Sequence, residues 1–404
     1  MQFADLGEAT IRYRIEGDPR GPAILFVNSL GTDLTVWDEV VARLPRGYAM
    51  IGYDKRGHGL SSVPAGALSI DDHASDLLRL IDHLGVEEAV ICGVSVGGMI
   101  AQRAAVRAAV RAPERVRGLI LCNTGARIGS AEMWAERMAQ IARDGLEVQA
   151  DAVMERWFTA PFRSEQPARL AGYRAMLTRT PQAGYLATCA ALRDADLTDG
   201  TRSLKTPTLC IAGDGAGAGD LATPPQRVRD LAALIEGAQY EELTGCGHLP
   251  MIEQPDACAA VIARFIETLD EALTTSPGET AGHAKGMITR RRVLGDAHVN
   301  RAVGNTTAMD AAFQRFITEG AWGSVWSGRH FTLRERSIVT LALLAAAGQD
   351  DEVAMHLRAT ANTGATQADV AEALMHVAVY AGVPKANHAL KIARQVLEPK
   401  PEDA

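Results

Sequence analysis

The feature that most constrains the fold is an alternation of short apolar runs with helical patterns over roughly the first 250 residues. Helical spacing of apolar residues is found in the segments between the runs, for example at 72–84 and 96–111. Each run is too short for a helix, which predicts strands at 24–28, 50–54, 89–93, 118–123, 208–213 and 240–243. This alternation predicts an α/β fold in which helices cover both faces of a mostly parallel sheet.

Two segments depart from this alternation and divide the chain. Residues 126–200 are helical in pattern without a strand, which predicts a helical cap over the C-terminal edge of the sheet. Residues 269–285 are rich in Thr, Ser, Gly and Pro without apolar periodicity, which indicates a linker. The 404 residues suffice for two domains, predicted at 1–268 and 286–404. The second domain is predicted to be smaller and all-α, with helices at 308–320, 332–347, 350–362, 367–381 and 385–397.

Composition excludes several classes of protein. A net charge of −8 argues against general nucleic-acid binding, and the basic triplet 290–292 is expected to be a solvated helix start. There is no run of 18 apolar residues and no basic segment followed by an apolar core at the start, so a cytoplasmic protein without membrane contact is expected. The six cysteines form no C-x-x-C pair, which favours reduced thiols over disulfides or a zinc site. No metal, nucleotide or flavin motif is present, so no cofactor is expected.

A G-x-S-x-G motif at residues 93–97 lies between a predicted strand and a predicted helix. In that setting the serine hydroxyl projects from a strained turn at a helix N-terminus, which makes Ser95 the candidate nucleophile. A serine needs a base to remove its proton, and a third group to orient that base. In this fold class the base follows the nucleophile in the chain. His248 is the candidate base because it lies after Ser95, in a glycine-flanked loop that follows the last strand, whereas His58, His73 and His83 lie before Ser95.

Two acids follow the strand at 208–213. Asp220 is favoured over Asp214 because it lies shortly before a helix that begins at two prolines, with residues 215–219 as extra loop. The oxyanion that forms during attack needs backbone N–H donors. Those donors are predicted to be Val96, directly after the nucleophile, and Leu30, in the turn after the first long strand.

Four segments of the first 265 residues resemble the 3-oxoadipate enol-lactone hydrolases, which are α/β-hydrolases of aromatic catabolism. They are NSLGTDLTVW (28–37), YDKRGHGLS (53–61), GVSVGG (93–98) and GCGHLP (245–250). The resemblance implies a small carboxylated lactone as substrate, and therefore a cationic group in the site. Candidate contacts in or near loops over the site are Arg56, Arg127 and Arg137, with Trp134 as a pocket wall.

The region 285–398 resembles the 4-carboxymuconolactone decarboxylases. The matching segments, in order, are MITRRRVLGDAH (287–298), AWGSVW (321–326), LRERS (333–337), HLRA (356–359) and YAGVP (380–384). Residues 260–404 contain no cysteine, which excludes the thiol redox chemistry of a related branch. Such decarboxylation needs no cofactor, because the electrons released with CO₂ flow into the lactone carbonyl.

His356 is the candidate proton donor of this second domain, with Glu352 one turn earlier to orient it. Arg334 and Arg336 are candidates for holding carboxylates bidentately. The remaining histidines of the region are assigned to structure or surface: His298, His330, His376 and His388.

The two families catalyse consecutive steps, so the expected function is conversion of 4-carboxymuconolactone to 3-oxoadipate in the protocatechuate branch of the β-ketoadipate pathway. The resemblance also implies a homo-oligomer assembled through the C-terminal domain. Two alternatives remain open at this point. One is a general carboxylesterase or lactonase joined to a catalytically idle helical oligomerisation module, and the other is a non-catalytic binding protein with a hydrolase fold.

Overall fold

The computed structural model describes residues 1–215, 220–272, 280–328 and 330–397. The chain divides into two units, one formed mainly by Met1–Leu44 and Ala49–Leu269 and the other mainly by residues from Asp270 onward. The first unit contains a mixed sheet with helices, and the second is helical. No helix among the described residues is long and apolar enough to cross a membrane.

The sheet of the first unit has eight strands in the order β1-β2-β4-β3-β5-β6-β7-β8. The strands are β1 Gln2–Asp5, β2 Thr10–Gly17, β3 Ala23–Val27, β4 Ala49–Tyr53, β5 Ala89–Val94, β6 Val116–Cys122, β7 Thr208–Gly213 and β8 Gln239–Leu243. Strand β2 pairs antiparallel with β1 and β4, and the other pairs are parallel. Strands β3, β5 and β7 are buried along their whole length, as expected for parallel strands covered on both faces. The predicted parallel sheet is confirmed, whereas the hairpin of β1 and β2 was not anticipated.

Helices follow the strands and position the loops at the C-terminal edge of the sheet. Helix α3 packs on α2 and against β5 and β6. Outside the segment between β6 and β7, the helices of this unit are α1 Asp38–Val41, α2 Ile70–His83, α3 Val96–Arg111, α10 Pro225–Leu234, α11 Pro250–Glu253 and α12 Pro255–Ala272. Short 3-10 helices lie at Leu34–Trp37 and Pro113–Arg115.

The segment between β6 and β7 is helical, and it corresponds to the predicted cap. Helix α4 packs against α8, and α5 packs against α7. The helices are α4 Ala131–Asp144, α5 Ala150–Trp157, α6 Ala160–Glu165, α7 Pro167–Arg179, α8 Gln182–Asp194 and α9 Thr198–Arg202, with a 3-10 turn at Glu147–Gln149.

The second unit is all helical, as the sequence predicted. It consists of α13 Ala281–Leu294, α14 Asp296–Gly304, α15 Ala311–Ile317, a π-helix Thr318–Trp326, α16 Leu333–Ala347, α17 Asp350–Thr363, α18 Gln367–Tyr380 and α19 Val383–Leu397. Its main core is formed by apolar residues of α16 to α19, including Leu341, Leu357 and Leu374. A second cluster joins Val293 to Trp322 and Trp326.

The structure differs from the sequence analysis at the predicted linker. Helix α12 continues to Ala272, and α13 begins at Ala281 after Thr280, whose side chain accepts from the His283 amide at 3.1 Å. This N-terminal cap stabilises a helix start inside a segment that lacks apolar periodicity. Residues 273–279 of the predicted linker lie outside the described residues.

Candidate active site

Ser95 occupies a strained turn at the end of β5. Its φ of 58° and ψ of −123° are unusual for a residue with a side chain, and α3 begins at the next residue. The Ser95 amide donates to the Cys122 carbonyl oxygen over 3.0 Å, which ties the turn to β6. Such a conformation costs about 1–3 kcal/mol and persists only where the surrounding structure imposes it.

The glycines of the motif are required by close backbone contacts. A Cβ atom on Gly93 would lie 2.3 Å from the Gly97 carbonyl oxygen, and one on Gly97 would lie 2.3 Å from the Val27 carbonyl oxygen. These neighbours are backbone atoms that cannot move aside as a flexible side chain can. The G-x-S-x-G pattern is therefore a steric requirement of the strand-turn-helix junction.

His248 and Asp220 form a buried pair, at 2% and 1% exposure, with 2.8 Å between His248 Nδ1 and Asp220 Oδ2. The carboxylate also accepts from the Ala222 amide at 2.7 Å and from the Thr223 hydroxyl at 2.5 Å. Burial acts to raise the pKa of Asp220, but the charge of His248 and these hydrogen bonds outweigh it, so the pKa lies below its ordinary value. An ionised Asp220 leaves Nε2 of the imidazole available to accept a proton.

Asp214 has a different environment. Its Oδ1 accepts from the Gly245 amide at 2.7 Å, and its own amide donates to the Leu243 carbonyl over 3.0 Å. Asp214 thus braces the start of the loop that carries His248, and of the two acids the structure brings Asp220 to the imidazole. Residues 216–219, most of the predicted extra loop, lie outside the described residues.

Two side chains that the sequence analysis missed fix the His248 loop. Asn123 donates from Nδ2 to the Gly247 carbonyl at 2.8 Å and accepts from the Gly213 amide at 2.8 Å. Glu253 accepts from the Gly247 amide at 2.6 Å and from the Thr159 hydroxyl at 2.6 Å. The positive φ of 40° at Asn123 marks a special backbone position, but nothing in the sequence indicated its partners.

Of the two residues predicted to donate to the oxyanion, Leu30 lies in the turn after β3 and Val96 occupies the first position of α3. The first amides of a helix have no intrahelical acceptor, so the Val96 N–H is available to a ligand. The turn around Leu30 is held because the Gly31 amide donates to His58 Nε2 at 3.0 Å and buried Lys55 donates to the Ser29 carbonyl. Burial holds the pKa of Lys55 well below its ordinary value.

Ser95 and His248 line a cavity of about 570 Å³ beneath the cap. Two of the predicted substrate contacts also line it, Trp134 and Arg137, and the Arg137 guanidinium lies 5.5 Å from the centre of the Trp134 ring. Arg156 of α5 is a third cavity residue that the sequence analysis missed. Burial lowers the pKa of Arg156, and the charge of Arg137 lowers it further. Within the described residues, neither Arg137 nor Arg156 has a carboxylate at ion-pair distance, and Glu136 and Arg227 also line the cavity.

The other two predicted contacts lie elsewhere. Arg56 is paired with buried Asp76 through two hydrogen bonds, one of 2.9 Å from Nε, and it does not line the cavity. Arg127 is half exposed and lies 3.7 Å from Asp196. Both assignments are corrected, because each guanidinium already has an acidic partner that sequence spacing did not reveal.

In the second unit, His356 is stacked against two indoles. Its ring centre lies 6.2 Å from Trp322 and 5.4 Å from Trp326, with interplanar angles of 17° and 12°. His356 Nδ1 is buried without a hydrogen-bond partner in the described structure. Burial, and then the charge of His298, lower the pKa of His356 to about 4. The aromatic wall comes from the π-helix, a rare element that is often found at functional sites.

The predicted partners of His356 are not beside it. Glu352 is exposed in the first turn of α17 and makes no hydrogen bond to the imidazole. Arg334 pairs with Asp369 at 2.8 Å, and Arg336 donates to the Val325 carbonyl at 2.5 Å. These three assignments are corrected, because the helix surface offers each side chain a nearer partner or solvent.

Comparison with known proteins agrees with both halves of this arrangement. The chain matches the alpha/beta hydrolase fold family over residues 22–255 and the carboxymuconolactone decarboxylase family over residues 311–395. It is 34% identical over 264 residues to a 3-oxoadipate enol-lactonase of Acinetobacter baylyi, covering 64% of this chain and 95% of that protein. It is 41% identical over 116 residues to the 4-carboxymuconolactone decarboxylase of the same organism, covering 29% of this chain and 87% of that protein.

A solved structure supports the assignment of the first unit. The crystal structure of an enol-lactonase from Burkholderia xenovorans is 38% identical, with a TM-score of 0.61, and covers 66% of this chain and all of that one (100%). The two resemblances read from the sequence are therefore confirmed at the level of family. The chain belongs to the α/β-hydrolase family in its N-terminal part and to the carboxymuconolactone decarboxylase family in its C-terminal part, and so joins a hydrolase to a decarboxylase.

Proposed function

We propose that this chain converts 4-carboxymuconolactone to 3-oxoadipate in two steps, within the protocatechuate branch of the β-ketoadipate pathway. The observation that carries the proposal is the presence of both families in one chain, since the enol-lactone made by such a decarboxylase is the substrate of such a hydrolase. A small anionic lactone also suits a cavity lined by Arg137 and Arg156, which have no ion pair among the described residues.

For hydrolysis, the Ser95 hydroxyl attacks the lactone carbonyl while His248 takes its proton and Asp220 holds the imidazole. The backbone amides of Leu30 and Val96 stabilise the oxyanion. Collapse of the intermediate breaks the ring C–O bond. The released enol oxygen takes the proton from His248 and the enol becomes the ketone. Water activated by His248 then cleaves the acyl-serine ester and frees 3-oxoadipate.

The substrate carboxylate is held by Arg137 and Arg156. The two guanidiniums repel one another, and an anion between them removes that repulsion as well as forming charge-assisted hydrogen bonds. Trp134 lies against Arg137, and its indole N–H donates to the Ile128 carbonyl at 2.7 Å, so the ring is fixed as a pocket wall.

For decarboxylation, the bond from the ring carbon to the departing carboxylate breaks, and its electron pair moves through the ring double bond to the lactone carbonyl. CO₂ leaves, and His356 gives a proton to the other end of the delocalised system, the ring carbon next to the lactone carbonyl, so that the remaining double bond is that of the enol-lactone. Burial, and then the charge of His298, disfavour protonated His356, whereas a bound dicarboxylate favours it, so the substrate itself creates the acid. Water then restores the proton to His356.

The test is to mix the purified chain with 4-carboxymuconolactone and follow CO₂, the enol-lactone and 3-oxoadipate over time. We expect Ser95→Ala to release CO₂ and accumulate the enol-lactone. We expect His356→Gln to hydrolyse supplied enol-lactone at the parental rate but to release little CO₂. A parent chain that hydrolyses the enol-lactone without ever decarboxylating its precursor would refute the two-step proposal.

The chain is further proposed to form homo-oligomers through its C-terminal part. Large apolar side chains are exposed on several helices there, for example Val379 at 75% and Tyr380 at 84% on α18. Large apolar side chains exposed in a contiguous patch are typical of an association surface, and the proposal is that these side chains form one.

A further inference from the structure

Arg290 is a buried cation that has no acidic partner among the residues that the structure describes. The residue is 6% exposed, although the basic triplet that contains it was expected to be solvated. Its Nη1 donates to the Gln314 side-chain oxygen at 3.2 Å and to the Thr318 hydroxyl at 3.4 Å, both neutral groups. Its Nε has no partner in the described structure, and burial lowers its pKa. An unpaired buried charge is costly, so its retention points to an anion that binds there.

Two structural features connect Arg290 with His356. The first is the π-helix, because Thr318 begins it and its residues Trp322 and Trp326 stack on His356. The second is His298 of α14, on which the charge of Arg290 acts and whose own charge acts on His356. Helices α13, α14 and α17 thus bring these three basic side chains to one place.

The same place has a net positive field. Burial lowers the pKa of His298, and the charges of Arg301, Arg290 and Arg358 lower it further, opposed only in part by Glu352. Glu352 is exposed, so it does not neutralise buried Arg290. A small dianion is the ligand that such a cluster favours.

We propose that Arg290 and His298 bind the carboxylate that the decarboxylase substrate retains, and that Trp322 and Trp326 lie against the carboxylate that leaves. This inference rests on the proposed decarboxylase function and names the site at which that reaction takes place. It assigns binding roles to Arg290 and His298, which the sequence analysis left among solvated and structural residues.

The division of roles follows from the chemistry of the reaction. A cation on the departing carboxylate would stabilise the substrate more than the charge-delocalised transition state and would slow the loss of CO₂. Indole surfaces offer that carboxylate no such stabilisation. The retained carboxymethyl arm keeps its charge throughout, so binding it to Arg290 positions the ring beside His356 without raising the barrier.

The experiment uses the full chain with Arg290→Gln, Arg290→Lys and His298→Gln. Arg394→Gln, an exposed arginine of α19, is the matched control. Decarboxylation of 4-carboxymuconolactone is measured, and hydrolysis of enol-lactone by the same chain reports its integrity. We expect Arg290→Gln to raise KM at least 30-fold while kcat falls less than tenfold, and His298→Gln to raise KM about tenfold. Arg290→Lys should lie between Arg290→Gln and the parent, and Arg394→Gln should match the parent.

A second probe isolates the retained carboxylate. Muconolactone carries the carboxymethyl arm but lacks the departing carboxylate, so it binds without reacting at this site. We expect it to inhibit decarboxylation competitively, at least tenfold more weakly in Arg290→Gln. A KM within twofold of the parent in Arg290→Gln, or a kcat that increases, would overturn the assignment. If Arg290→Gln loses its helical circular dichroism, the variant has not folded and Arg290→Lys is used in its place. An unchanged KM and unchanged inhibition by muconolactone in Arg290→Lys would then overturn the assignment.

The failure of the proposed function is recognised separately. A parent chain that releases no CO₂ refutes the decarboxylase activity, whatever the variants do. In that case calorimetric binding of muconolactone to Ser95→Ala, with and without Arg290→Gln, still decides the anion site. Weaker binding in the double variant supports the site, and equal binding contradicts it.

Discussion

Asp220 and Asp214 illustrate what decides function at the scale of single residues. Both are acids after the same strand, but one carboxylate accepts from His248 and the other from a backbone amide of the His248 loop. Only the first contact can orient an imidazole for proton transfer. The two residues therefore have separable effects on activity.

We expect Asp220→Asn to lower kcat for enol-lactone hydrolysis by about 10⁴-fold, because an amide no longer fixes the productive imidazole tautomer. Asp214→Asn keeps the acceptor oxygen for the Gly245 amide and should change kcat by less than about fivefold. Steady-state hydrolysis of enol-lactone by the two variants is the measurement. Equal losses in both would contradict the assignment of Asp220.

Arg156 should contribute to substrate affinity as much as Arg137 does. A charge-assisted hydrogen bond is worth about 1.5–3 kcal/mol, so Arg156→Gln and Arg137→Gln should each lower kcat/KM for the enol-lactone by about 10- to 100-fold. Arg143 of α4, whose side chain is 69% exposed, provides Arg143→Gln as a control on the same helix as Arg137. The loss should be small for an uncharged ester such as phenyl acetate. An equal loss with that ester would show that Arg156 acts on the fold of the cap rather than on the anion.

At the scale of elements, the contact between α13 and the π-helix fixes the position of Trp322 and Trp326, the two indoles that stack on His356. A Cβ on Gly286 would lie 2.0 Å from the Thr318 carbonyl oxygen, whereas one on Gly282, a turn earlier in α13, would meet nothing closer than 4.0 Å. The two glycines therefore form a matched pair in one helix. A residue without a side chain is required at Gly286 by the close approach of the π-helix, whereas at Gly282 only helix propensity matters.

We expect Gly286→Ala to destabilise the C-terminal part by about 1–3 kcal/mol, because the π-helix must move away from α13. It should also lower decarboxylation while hydrolysis is unchanged, since Trp322 and Trp326 would shift from His356. Gly282→Ala should be neutral or stabilising by up to about 1 kcal/mol. Urea unfolding and both activities are measured, and indifference to Gly286→Ala would contradict a role for this contact.

The stability of the first turn of helix α18 is expected to depend on pH. Its capping box joins Thr366 to Asp369, and the hydrogen bond from Arg334, followed by that from the Thr366 amide, lowers the pKa of Asp369 to about 2. Because the folded pKa lies below the unfolded one, this stabilisation is present above about pH 4 and is lost as the pH falls toward 2. Asp369→Asn should speed hydrogen exchange of α18 at pH 7, and the difference from the parent should shrink near pH 3. Thr366→Asn, which retains a capping side chain, is the control.

At the scale of the whole molecule, the proposed two-step conversion does not require contact between the two sites. The proposed assembly is a separate property, supported by apolar exposure on α15, α16 and α18. Phe316 is 70% exposed, Leu343 65% and Met375 69%.

We expect sedimentation equilibrium to give a mass that is a multiple of the 43.0 kDa chain. Val379→Lys places a charge in the exposed apolar face and should shift the mass toward the monomer, because burying an unpaired ammonium is unfavourable. Gln395→Lys, at an exposed polar position of α19, should leave the mass unchanged. A parent chain that sediments as a monomer at micromolar concentration would refute the proposed homo-oligomer.

The sequence by itself determined what depends on local chemistry. Apolar periodicity was sufficient to predict where the buried strands lie along the chain and that the second unit is helical. The position of Ser95 follows from the glycines around it, which no larger residue can replace. Motif order was also sufficient to identify both families. These properties are encoded within a few neighbouring residues, so they can be read without a structure.

Only the tertiary structure decided which side chains meet. Asp220 reaches His248 across 28 positions, Arg156 joins Arg137 from another cap helix, and Arg56 is paired with Asp76 instead of a ligand. Arg290 is buried beside the π-helix, although Arg292 of the same basic triplet is exposed. Such pairings depend on how distant elements pack, and periodicity within one element carries no information about them.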